Sequence, residues 1–131
     1  MMMKLGWAFG IVLTLVGILG FVPGITSGGL LLGMFMVDPL HNIVHLVSGL
    51  LALGAVWMWP SYLKLYFQVF GVVYALVAII GLVQGNTVLG ILMVNMADNL
   101  LHVVIAALAL WAGFGMKQES MAMSASMGAT M

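Results

Sequence analysis

The sequence predicts an all-α membrane protein, a bundle of four transmembrane helices made of two tandem helical hairpins related by a pseudo-twofold axis along the membrane normal. Three observations carry this. Of 131 residues, 65% are hydrophobic and 5% charged, whereas an ordinary soluble domain has about 45–50% and about 25%. A globule this small has too little interior to hide so much apolar surface from water. Four apolar runs reach the roughly 17–25 residues needed to cross hydrocarbon, and the second half of the chain repeats the first.

The spans are expected at 5–22, 39–59, 64–83 and 96–114, inside one four-helix domain covering 1–116. Breaks fall where backbone chemistry places them. Pro23-Gly24 ends the first span, Pro60-Ser61 the second and Gln84-Gly85-Asn86 the third. Helices are expected rather than strands, because an open sheet edge cannot be satisfied in lipid. The first span is expected to be retained: no A-x-A-like cleavage site follows it, and it has a counterpart later in the chain. Residues 30–37 are expected to lie along the outer interface or to extend the second helix. Residues 117–131, small, polar and Met-rich, read as a disordered cytoplasmic tail.

Lys4 precedes span one, Lys64 lies between spans two and three, and Lys117 follows span four. All three fall on one side of a four-span protein, the side that the positive-inside rule makes cytoplasmic. Trp7, Trp57, Trp59, Trp111, Tyr62 and Tyr66 gather at the same ends as an aromatic belt. Both termini are therefore expected in the cytoplasm.

The repeat is direct. Gly33, Val37, Asn42 and His45 match Gly90, Val94, Asn99 and His102 at an offset of 57. Gly10, Gly20, Gly24 and Thr26 match Gly71, Gly81, Gly85 and Thr87 at an offset of 61. A feature of span two thus has a counterpart at similar depth in span four, the logic of parallel-repeat membrane proteins.

One polar constellation stands out. Asp38 before Pro39 is an N-cap followed by Pro at the first helical position, and Asn95 can cap the fourth helix in the same way. His41, Asn42 and His45 follow the first cap; Asp98, Asn99 and His102 follow the second. Residues four apart share a helix face, so His41 with His45 and Asp98 with His102 form ridges expected to face each other inside the bundle, since such groups rarely meet lipid. The plain reading is interhelical hydrogen bonding that pins helix two to helix four. A cofactor is the alternative. His45 and His102 could serve as axial ligands of haem b, and His41, His45, His102 and Asp98 form a donor set suited to a divalent metal such as Zn²⁺ or to non-haem iron. A small proton or ion transporter using Asp98 and the histidines is a third reading.

The segments VDPLHNIVHLVSG and ADNLLHVVIAA resemble a bacterial four-helix integral membrane family known as a domain of unknown function. Its pattern is close to N-P-x-H-N-x-x-H-x-x-x-G in the second helix and A-D-N-x-x-H in the fourth. The match covers about residues 5–114 and falls on Pro39, His41, Asn42, His45 and Gly49, and on Ala97, Asp98, Asn99 and His102, with Asp38 where the family usually has Asn. The resemblance implies the fold and a bacterial inner-membrane location, and implies no activity.

Gly6 with Gly10, Ser48 with Ala52 and Ala109 with Gly113 form small-xxx-small pairs that let helices approach closely, and Gly49 is a further packing position. They suit packing within the bundle and equally a homo-oligomer or a larger membrane complex. Nucleic acid is excluded as a partner because no basic patch exists, and zero cysteines exclude disulfides and thiolate chemistry. No nucleophile–base–orienter set appears, so an enzyme is not expected. The expected role is that of a structural or accessory membrane subunit.

Overall fold

The computed structural model describes residues 1–117. Four helices dominate: α1 (Met2–Leu19), α2 (Pro39–Trp57), α3 (Leu63–Gln84) and α4 (Met96–Leu110), with a 3-10 turn at Pro60–Tyr62 and a π turn at Trp111–Gly115. Each is long and apolar enough to span a membrane, α4 together with its π turn. The tail expected at 117–131 lies outside the described residues beyond Lys117.

The chain packs inside out relative to a soluble bundle. Leucine, isoleucine and valine face outward, as at Leu15, Leu51, Leu76, Val83, Leu100 and Val104. Lipid tails are as apolar as these side chains, so burying them gains little; close backbone approach between helices gains more. Small residues therefore line the contacts within each hairpin. A Cβ on Gly17 would meet the Leu46 backbone nitrogen at 2.7 Å, and one on Gly113 would meet that of Gln68 at 2.7 Å. Gly6 faces Val56 and Leu63, Gly10 faces Leu53, Gly49 faces Thr14 and Gly71 faces Leu110, while Ala109 is fully buried. As residue numbers rise along α1 their partners fall along α2, so the hairpin is antiparallel. The α3–α4 hairpin is built the same way.

All four helices share an apolar core toward the lysine-bearing end, where Phe9, Leu13, Ala52, Val56, Leu63, Phe67, Ala106 and Ala109 meet. Phe9 and Phe67 join the two hairpins edge to face, with ring centroids 5.2 Å apart. Toward the other end the interior turns polar.

The outer loops correct an expectation. Residues 30–37 do not extend the second helix. They form part of a small antiparallel sheet of β1 (Thr26–Ser27), β2 (Leu30–Leu31) and β3 (Phe35–Met36), and the second half answers with β4 (Thr87–Val88) and β5 (Leu92–Met93). The turns after β2 and β4 are near copies. Met34 N–H donates to Leu31 O at 3.0 Å and Ile91 N–H to Val88 O at 3.1 Å. Their central residues are left-handed, Leu32 and Gly33 at φ 54° and 69°, Leu89 and Gly90 at 55° and 71°. Two positive φ values in succession define the hairpin turn whose twist matches a β-ribbon, and glycine takes the second place without Cβ strain. The duplication seen in sequence thus extends to backbone geometry.

Candidate functional site

The two even-numbered helices begin with caps that also reach across the molecule. Asp38 Oδ1 accepts from His41 N–H at 2.9 Å, and Oδ2 accepts from Met93 N–H in β5 at 2.6 Å. Asn95 Oδ1 accepts from Asp98 N–H at 3.0 Å while Asp98 Oδ2 accepts from Asn95 N–H at 2.9 Å, a reciprocal capping box. Asn95 Nδ2 then donates to Met34 O at 2.8 Å, back in the first half. Each cap satisfies helix-end donors that hydrocarbon would leave bare and bonds the opposite hairpin's outer loop.

Below this layer the three imidazoles meet. His41, His45 and His102 are all buried. Ring centroids lie 4.7 Å apart for His41–His45, 5.6 Å for His41–His102 and 5.8 Å for His45–His102. One ring nitrogen of each lies within 4.8 Å of the other two.

The surrounding hydrogen bonds hold two of the rings and fix the proton of one. His41 Nδ1 lies 2.9 Å from Met93 O; a carbonyl only accepts, so Nδ1 carries the proton. His41 Nε2 is then the bare nitrogen, and it is buried with no partner. His45 Nδ1 lies 3.2 Å from the Tyr74 hydroxyl. Ser48 Oγ donates to Val44 O at 2.7 Å, and the Tyr74 hydroxyl holds the His45 ring at Nδ1. His102 Nδ1 is buried without a partner. Tyr74 also stands beside His102, centroids 5.7 Å apart.

Asn42 and Asn99 behave differently from their neighbours. Rather than facing each other across the bundle, each turns to its own hairpin partner. The Asn42 amide occupies the position a Cβ on Gly20 would take, and Asn99 does the same at Gly81. An amide oxygen placed along a glycine Cα–H direction has the geometry of a weak C–H···O contact. Asn42 Oδ1 and both polar atoms of Asn99 find no conventional hydrogen-bond partner.

The geometry bears on two of the cofactor expectations. Asp98 does not join the donor cluster: among the described residues the converging group is the three histidines. The Asp98 carboxylate is held at the α4 cap, its N3 position directing it to the Asn95 amide, although His41 is an electrostatic neighbour. Haem does not fit between His45 and His102. The cavity bounded by the three histidines, Tyr74, Val44, Val73, Val77 and Leu92 is about 20 Å³, and His41 packs against both rings. Pockets that accept organic cofactors run to about 300–1,000 Å³.

From sequence alone Ser48 has a packing role only, and neither Tyr74 nor Gln68 is singled out. Tyr74 orients His45, Tyr66 donates to Ser48 O at 2.8 Å, and Gln68 Nε2 donates to Gly113 O at 2.9 Å beside the π turn. Tyr66 and Tyr74, eight positions apart on α3, share a face, a helical spacing that marks both as inward groups.

Fold and site together define a four-span integral membrane protein with a histidine triad buried beneath its two sheet-bearing loops. The chain belongs to the family described as Domain of unknown function (DUF4383), whose profile matches residues 4–115. No curated protein and no solved structure matches it.

Proposed function

We propose that this protein is a structural or accessory subunit of the bacterial cytoplasmic membrane, with both termini inside and the small sheets outside. Three lysines and the tryptophans at one end of the bundle support the orientation. The role rests on one observation. Polar bonds between the hairpins are densest in one layer, where Asp38 bonds Met93, Asn95 bonds Met34 and His41 bonds Met93, with His45–Tyr74 and Tyr66–Ser48 below it. That layer makes one unit of two repeats whose remaining surface is given to lipid. A homo-oligomer or larger membrane complex would form through the same apolar outer face.

Topology is tested by reporter fusions in a bacterial host. A fluorescent protein fused after the last residue is expected to glow, and alkaline phosphatase inserted at Gly28 is expected to be active. The opposite pattern would overturn the orientation. The locking role is tested by protease treatment of membranes carrying Asp38→Ala with Asn95→Ala. Cleavage in the outer loops is expected to rise several-fold over the unsubstituted chain, and unchanged resistance would contradict the role.

A further inference from the structure

We propose that the histidine triad is a binding site for one first-row divalent metal ion of the Zn²⁺ type, held by Nε2 of His41, Nε2 of His45 and a ring nitrogen of His102. The reading goes beyond the structural role and does not depend on it.

Four observations converge. Three imidazoles, each offering a nitrogen within 4.8 Å of the others, need to close by only an ångström or so to reach the spacing of about 3.3 Å set by Zn–N bonds near 2.0–2.1 Å at tetrahedral angles. Two of the rings already have the outer hydrogen bonds that metal-binding histidines use to hold their orientation: His41 Nδ1–H on a backbone carbonyl and His45 Nδ1 with a tyrosine hydroxyl. His41 therefore turns a lone pair, rather than a proton, to whatever lies opposite. His41 Nε2 and His102 Nδ1 are buried without partners, a costly condition in a low-dielectric interior unless a ligand relieves it. Finally, the cavity that the three rings border is about 20 Å³, room for an ion or a single water and nothing larger.

A seam that existed only to join helices would pair these atoms with one another; this one leaves them open. The donor set selects the metal class, since neutral imidazoles suit Zn²⁺, Cu²⁺, Ni²⁺ and Fe²⁺ rather than Mg²⁺ or Ca²⁺. No fourth imidazole, thiolate or carboxylate joins the group among the described residues, so the fourth tetrahedral position falls to water or another small ligand. Leu92 of β5 borders the cavity, and β5 also supplies the carbonyl that orients His41, so the outer loop covers the site and ions enter as the chain folds.

The test uses the full chain, produced with Co²⁺ in the medium, purified in detergent through a tag free of histidine and stripped of loose ions by gel filtration. About one Co²⁺ per chain is expected, with the intense visible absorption of a four-coordinate nitrogen site. His41→Ala, His45→Ala and His102→Ala are each expected to retain less than roughly a tenth of that, and Gln68→Ala to retain all of it. The proposal is overturned if the unsubstituted chain carries no ion, or if its Co²⁺ gives the weak spectrum of an octahedral surface complex. Histidine variants that load as much Co²⁺ as the unsubstituted chain overturn it too. The spectrum of the unsubstituted chain decides the matter even if a variant fails to fold.

Discussion

The Asp38 carboxylate accepts a 2.6 Å hydrogen bond from the Met93 N–H, so the residue that caps α2 also holds a strand of the other half. Asp38 Oδ1 serves the helix end and Oδ2 serves β5. Replacing Asp38 with Ala removes both and leaves the donors without a charged acceptor. The expected loss is about 1–3 kcal/mol of thermal stability in detergent. Asp38→Asn keeps one oxygen and turns an NH₂ toward the second donor, so it is expected to fall between the two.

The glycine contacts give a prediction with a built-in control. Gly17→Ala would push a methyl group into the Leu46 backbone, and Gly49→Ala would meet that of Thr14. Neither obstacle can rotate away, so each is expected to cost about 1–3 kcal/mol in a thermal melt. A Cβ on Gly54 meets nothing nearer than 3.8 Å, and Gly54→Ala is expected to be neutral or to stabilise by up to about 1 kcal/mol.

At the outer end of the α1–α2 contact, Gly20 and Asn42 compete for one space. Gly20→Ala alone is expected to destabilise, and adding Asn42→Ala to recover part of the loss. A double-mutant cycle on melting free energies is expected to show coupling of about 0.5–3 kcal/mol. Gly81 with Asn99 should repeat the result, because the geometry repeats. Purely additive losses would show that the amides do not sit against the glycines.

Tyr74→Phe leaves every imidazole in place but removes the hydroxyl that holds His45 Nδ1. Outer-shell partners of this kind are worth about 10–100-fold in metal affinity. Competition with a chromophoric chelator is therefore expected to show metal binding weakened by about that factor, with binding retained. Tyr66→Phe, which loses only a bond to the Ser48 carbonyl, is expected to leave affinity unchanged.

Several features were open to reading in advance. Four spans follow from apolar length alone, and Asp38-Pro39 and Asn95 mark helix starts because capping chemistry is local. The repeat placed His45 and His102 at one depth. Residues whose roles are set by distant partners were less legible. Two-residue strands are too short to show a period, so β2 and β3 were invisible despite the glycine in their turn. Asp98 corresponds to His41 in the repeat, which suggested a ligand; its position three residues after Asn95 instead makes it the acceptor of a capping box. Asn42 and Asn99 lie near the histidines on their helices, yet Gly20 and Gly81 open space for them within each hairpin. Tyr74 completes the histidine cluster from α3, and only tertiary packing brings it there.

The central claim is that the imidazoles of α2 and α4 converge inside the bundle, with the His41 Nδ1 proton turned to the Met93 carbonyl. The chain has three histidines in all and every one lies in the cluster, so histidine-labelled protein in lipid bilayers, free of metal, reports on this site alone. Solid-state NMR is expected to show through-space contacts joining all three rings, with His41 protonated at Nδ1 and bare at Nε2. Isolated rings, or a His41 protonated at Nε2 and bare at Nδ1, would contradict it.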